Sequence, residues 1–153
     1  MARKVQVSEL EAHVGYWLRF VSNHVSHAFM QKVEAKGVTV AEWVVMREML
    51  QTGPINPSQL AERLGMTRGA ISKLVERLCR KKFVQRTAAG RDRRYQSVTL
   101  TSVGMALVPK LARLADDNDR EFFSHLTTEQ QHDLVRVLKD IVYRHGWKDA
   151  PVN

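Results

Sequence analysis

The side chains best suited to chemistry in this sequence are cations, and they are crowded together. Between Arg63 and Arg94 lie eleven basic residues and only two acids, Glu76 and Asp92, so this segment carries +9 while the rest of the 153-residue chain carries −1. Charge that served solubility alone would be scattered over the surface, whereas concentrated positive charge suits a polyanion. Thr67, Arg68, Gly69, Ser72, Lys73 and Arg77 recur at helical spacing. An arginine fork matches the O6 and N7 acceptors of guanine, a serine hydroxyl serves several bases, and a glycine permits close approach without reading anything itself. Lys73, Arg77 and the Arg80-Lys81-Lys82 cluster suit phosphate. Arg91, Arg93 and Arg94 surround a tight turn at Gly90, the chemistry needed to enter a narrow, electronegative minor groove. Asp92 would be repelled by phosphate and is better placed to orient a neighbouring arginine. For each helix cation the competing reading is a solvated surface charge, and for the turn it is a charged hairpin without a ligand.

Other chemistries lack their signatures. The sequence has no glycine-rich phosphate loop, no His-Glu-x-x-His and no Gly-x-Ser-x-Gly, and His132 beside Asp133 is not a catalytic pair, so no enzyme is expected. The single cysteine, Cys79, excludes an intrachain disulfide and a multi-cysteine metal knuckle. Its position late in a helix favours burial as a small apolar side chain over a redox role. His24 and His27 are three residues apart on a helix, but no nearby acid or cysteine completes a site, so neither metal nor cofactor is expected. No apolar run approaches the ~20 residues of a membrane span, and the amino terminus does not read as a signal peptide. The expectation is a reduced, cytoplasmic protein.

These side chains need elements to hold them. Ser8 with Glu11 forms a capping-box pattern and predicts a long helix to about Ala35, ended by Lys36 and Gly37. Its residues Leu10, Val14, Trp17, Val21, Val25, Phe29 and Val33 predict a single buried stripe. Thr39 with Glu42 starts a second helix that stops near Gly53, and Asn56, Pro57 and Gln59 start a short third one ending at Gly65. Thr67 caps a fourth helix reaching about Lys82. Extended segments follow at about 83–88 and 93–100, where Val98, Thr99 and Leu100 alternate as in a half-buried strand. Thr101 opens a fifth helix with Val103, Leu107, Leu111 and Leu114 on one face, and Thr127 with Gln130 opens a sixth carrying Leu134, Val137, Leu138 and Ile141.

Residues 58–78 hold the pattern of most consequence. Ala61 is small where two helices cross, Gly65 supplies a left-handed turn, and Ile71 and Leu74 pack the second helix back on the first. That spacing predicts a helix-turn-helix whose second helix enters the major groove by its amino-terminal end. With the basic hairpin it makes a winged helix-turn-helix over roughly residues 54–100. The fold expected is mainly α with a small β-hairpin wing, divided into an N-terminal dimerisation helix (1–38), a DNA-binding lobe (39–100) and C-terminal dimerisation helices (101–153). A self-contained helical bundle is the alternative for the flanking helices.

The order of helices, the Asp-x-Arg core of the wing at Asp92 to Arg94, and Leu-Thr-x-x-Gly from Leu100 to Gly104 resemble the MarR family of bacterial transcription regulators over roughly residues 8–145. The resemblance implies an obligate homodimer, with the first, fifth and sixth helices intertwined. It also implies a palindromic operator in double-stranded DNA, repression, and release by a small ligand, often an aromatic acid. Family pockets lie between the dimerisation and DNA-binding regions. Here His13, Tyr16, Trp17, Trp43 and Arg47 are the residues that offer an apolar wall, hydrogen bonds and a cation, although an aromatic stripe also reads as plain core. The alternatives are a DNA-architectural protein with no ligand and a redox-responsive regulator using Cys79.

Overall fold

The computed structural model describes residues 6–87 and 96–152. In chain order these form α1 (Val14–Glu34), α2 (Val40–Thr52), α3 (Pro57–Leu64), α4 (Arg68–Arg80), β1 (Val84–Thr87), β2 (Ser97–Leu100), α5 (Ser102–Phe123) and α6 (Thr128–His145).

Local capping chemistry sets most of these boundaries. At α2 the Thr39 hydroxyl accepts from the Glu42 N–H and the Glu42 carboxylate accepts from the Thr39 N–H, and Thr127 and Gln130 do the same at α6. Thr67 and Thr101 cap α4 and α5 through the N–H groups of Ala70 and Gly104. Asn56 caps α3 through the N–H of Ser58, one residue earlier than the expected box with Gln59 would use.

The first helix departs from expectation. Leu10–Ala12 form a separate 3-10 turn, His13 is extended (ψ 124°), and α1 starts at Val14 with no side-chain cap. The turn's carbonyls are taken by side chains instead: the indole N–H of Trp17 donates to Glu11 O at 2.9 Å, and His13 Nδ1 lies 3.0 Å from Glu9 O. With those acceptors occupied, the Ser8–Glu11 pattern has no helix to open.

The core lies under α2, α3, α4, the hairpin and the first half of α5, with Met46, Leu60, Ile71, Leu78, Val98 and Leu111 all fully buried. β1 and β2 pair antiparallel with Val84 opposite Leu100 and Arg86 opposite Val98. Ile55 adds a third row: it exchanges two backbone hydrogen bonds with Val98, at 3.1 and 2.9 Å. The expected strands were longer: β1 starts at Val84 and β2 at Ser97, leaving Phe83 and Gln96 just outside them, and residues 88 and 93–95 lie outside the described residues.

The apolar stripes expected to be buried are mostly open within one chain. Of the α1 stripe only Val33 is buried, whereas Leu10, Val14, Trp17 and Val21 are exposed. In α5 Val103 is exposed, and the buried positions are Gly104, Val108, Leu111 and Asn118. No residue of α6 is buried. These long helices extend past the lobe, which offers them no second surface.

Candidate nucleic-acid interface

At roughly 100° per residue, α4 divides into two faces. Ile71, Leu74, Val75 and Leu78 are buried against the core. Arg68, Gly69, Ser72, Lys73, Glu76 and Arg77 occupy the exposed arc, with Thr67 exposed just ahead of them. The structure thus brings the six helix residues singled out for DNA onto one surface.

The turn that presents this surface is built by Gly65. Its φ of +63° is left-handed, and Met66 N–H donates to Ala61 O while Gly65 N–H donates to Glu62 O, the paired bonds of a Schellman ending. Ala61 is buried at the crossing, as its size suggested. Thr67 then restarts the chain as a helix whose first N–H groups and dipole favour an anion. Gly69 has nothing within 4 Å of where a Cβ would stand, so its missing side chain leaves open space on the exposed face.

Not every cation of the basic segment is available. Arg63 pairs with Glu48 on α2, and Lys81 donates to the Glu42 carboxylate at 2.7 Å. Arg68, Lys73, Arg77 and Arg80 form no ion pair with any described residue. Lys81 was grouped with the phosphate contacts by its neighbours in sequence; its partner lies thirty-nine positions away. Glu76, one of the two acids in the basic segment, sits on the same exposed arc. The wing residues Arg91, Asp92, Arg93 and Arg94 lie outside the described residues.

The Leu-Thr-x-x-Gly pattern joins the hairpin to α5. Thr101 N–H donates to Phe83 O at 3.0 Å and its hydroxyl donates to Lys82 O at 2.7 Å while accepting from Gly104 N. A Cβ on Gly104 would stand 2.1 Å from Phe83 O. Only glycine lets α5 approach the α4–β1 junction this closely, and Lys82 takes a left-handed φ of +64° to make that junction.

A family model described as the MarR family matches residues 36–94, which include the helix-turn-helix and β1 but end before β2. The regulator SarZ of Staphylococcus haemolyticus is 23% identical over 138 residues, covering 90% of this chain and 92% of its own. Over the segment from α2 to β1 the chain is similar to the MarR family. Among solved MarR-family folds, a mutant of Escherichia coli MarR in complex with operator DNA superimposes with a TM-score of 0.73 at 24% identity, over 84% of this chain and 93% of its own. Bordetella bronchiseptica BpsR, whose DNA binding is regulated by 6-hydroxynicotinic acid, gives a TM-score of 0.75 at 23% identity, over 89% and 97%. The matched relatives are HTH-type transcriptional regulators, and this chain shares their helix-turn-helix segment and the winged-helix fold. No described helix is long and apolar enough to cross a membrane.

A cavity of about 590 Å³ lies between α1 and α2, within the range of small-molecule sites. Phe29, Met30, Trp43 and Val44 supply apolar wall, and Ser22, Ser26, His27 and Thr39 supply polar groups. The expected ligand set is not assembled there. Of its five members only Trp43 lines the cavity. His13, Tyr16 and Trp17 sit at the start of α1, where Tyr16 and Trp17 pack edge to face at 5.2 Å and the polar atoms of His13 and Trp17 face the 3-10 turn. Arg47 is exposed on α2, away from the cavity. Cys79 is half-buried and packs against the core, as a small apolar residue would.

Proposed function

We propose that this regulator is a homodimeric repressor that binds a palindromic operator and releases it when a small aromatic ligand occupies the cavity between α1 and α2. The observation that carries the DNA-reading half is the division of α4 into a fully packed face and an exposed face of Arg68, Ser72, Lys73 and Arg77. Arg68 and Ser72, with Thr67 and Gly69, lie at the end of the helix that meets base edges, while Lys73 and Arg77 neutralise phosphate. Arg91, Arg93 and Arg94 enter the minor groove from the β1–β2 connection.

The dimer is supported by apolar surface that one chain leaves open. Leu10, Val14, Trp17 and Val21 near the start of α1, and Leu134, Val135, Leu138 and Val142 on α6, are all more than a third exposed. Contiguous apolar faces of this kind mark association surfaces, and two-fold pairing makes one patch serve both chains. Residues 1–38 and 101–153 thus act as the dimerisation arms around the 39–100 lobe.

The cavity walls argue about ligand class. Glu34 is the one carboxylate among the lining residues, and neither lysine nor arginine is among them. A neutral ring with a hydroxyl suits this wall better than a carboxylate, which would meet Glu34 and neither lysine nor arginine. The experiment is selection of the operator by genomic footprinting, followed by titration of the complex with phenol and benzoate. Release by phenol at lower concentration than benzoate is the expected outcome. Operator affinity that no small aromatic changes would favour a ligand-independent architectural protein and defeat the switch.

A further inference from the structure

The segment after α6 does not run off into solvent. Gly146 (φ +65°) reverses the chain, Trp147 N–H donates to Val142 O at 3.3 Å, and the Trp147 ring stacks on His145. Lys148–Val152 then crosses the helix-turn-helix. Ala150 N–H donates to Leu64 O at 3.1 Å, satisfying a carbonyl at the end of α3 that has no partner within its helix. The crossing is close: a Cβ on Gly65 would stand 2.7 Å from Lys148 O and 2.9 Å from the Asp149 Cα. Gly65 is therefore required twice, by its own left-handed backbone and by the chain lying over it. Beyond this contact, Pro151 and Val152 form part of the wall of the α1–α2 cavity, with Trp43 and Met30.

We propose that Lys148–Val152 is an internal strap that competes with ligand. Its far end closes one side of the cavity, and its near end latches the turn immediately ahead of α4. Ligand entry displaces Pro151 and Val152, which withdraws the Ala150 bond from Leu64 and frees the turn. The inference rests on the ligand-release reading above and supplies a route from that cavity to α4. The size of the competition follows from occupancy: a seat filled about nine-tenths of the time weakens an incoming ligand about tenfold.

The strap can be tested in the full chain, in a chain ending at Trp147, and in the full chain carrying Val152→Asp, which puts an acid into a wall already containing Glu34. Three readouts apply: the Met30 ε-methyl resonance, amide exchange at Gly65 and Met66, and the Kd of phenol followed through Met30. Both variants should shift the Met30 resonance and speed exchange at the turn several-fold, and phenol should bind at least fivefold more tightly than to the unaltered chain. An unchanged Met30 resonance with unchanged exchange would overturn the seating of the segment. Phenol binding that is equal or weaker in the variants would overturn the competition. If phenol binds none of the three proteins, the ligand class proposed for the cavity fails, and the methyl and exchange data still decide the strap.

Discussion

The Glu42–Lys81 pair yields a prediction whose sign depends on which partner is removed. The Glu42 side chain is 1% exposed and that of Lys81 is 37% exposed. Glu42 Oε2 accepts from Thr39 N–H at 2.9 Å and from Lys81 Nζ at 2.7 Å, while Oε1 is buried with no partner. Replacing Glu42 by Gln keeps the shape and an oxygen for the Thr39 cap, and the half-exposed lysine returns to water. One charge-assisted hydrogen bond is exchanged for a neutral one, and the cost of burying a carboxylate disappears, so the loss should be about 1 kcal/mol. Replacing Lys81 by Met leaves the carboxylate buried and uncompensated, for which about 3–5 kcal/mol is the usual penalty. The double variant should therefore be more stable than Lys81→Met alone, because the stranded charge is gone. Urea denaturation of all four proteins at one fixed protein concentration measures the differences, and a fixed concentration keeps any association constant across the set. If Lys81→Met costs no more than Glu42→Gln, the carboxylate is not sequestered as described and the reasoning fails.

Three further outcomes follow from the interface and its supports. Arg68→Ala should lose discrimination between operator and random DNA in competition binding; an unchanged ratio would remove Arg68 from the base-reading set. Log affinity should fall with log salt at roughly −0.9 per neutralised phosphate, and Arg77→Ala should make that slope shallower by about 0.9, as fluorescence anisotropy over a salt series would record. A slope that Arg77→Ala leaves unaltered would place this side chain off the backbone. Gly104→Ala should destabilise the fold by about 1–3 kcal/mol in thermal or urea melts, because the new methyl must push α5 off the Phe83 carbonyl. Neutral behaviour there would mean the α4–β1 junction yields more readily than its bonds to Thr101 suggest.

Features that depend on neighbours within one helical turn were legible in the residue order. The capping pairs Thr39–Glu42 and Thr127–Gln130 and the caps Thr67 and Thr101 all form hydrogen bonds across three residues, so the local pattern contains both partners. Gly65 was legible for the same reason, since its backbone angle is a property of one residue. The exposed arc of α4 followed from helical period once Ile71, Leu74 and Leu78 were assigned to the core. Ser8–Glu11 shows the limit: the motif is intact in sequence, but Trp17 and His13 reach back to the carbonyls of a competing turn.

What the sequence by itself determined is the helix-turn-helix with its hairpin, the exposed face of α4 and the concentration of charge around it. Tertiary structure alone decided which cations are already held, because Lys81 meets Glu42, and Arg63 meets Glu48, only when α2 packs against α3 and α4. It also decided that Trp43, but not His13, Tyr16, Trp17 or Arg47, faces the cavity, and that Lys148–Val152 returns to Leu64 and Gly65. The physical reason is separation along the chain. A cap or a left-handed glycine is settled by neighbours three residues away, whereas an ion pair between helices, a cavity wall or a returning strap exists only after the chain has closed upon itself.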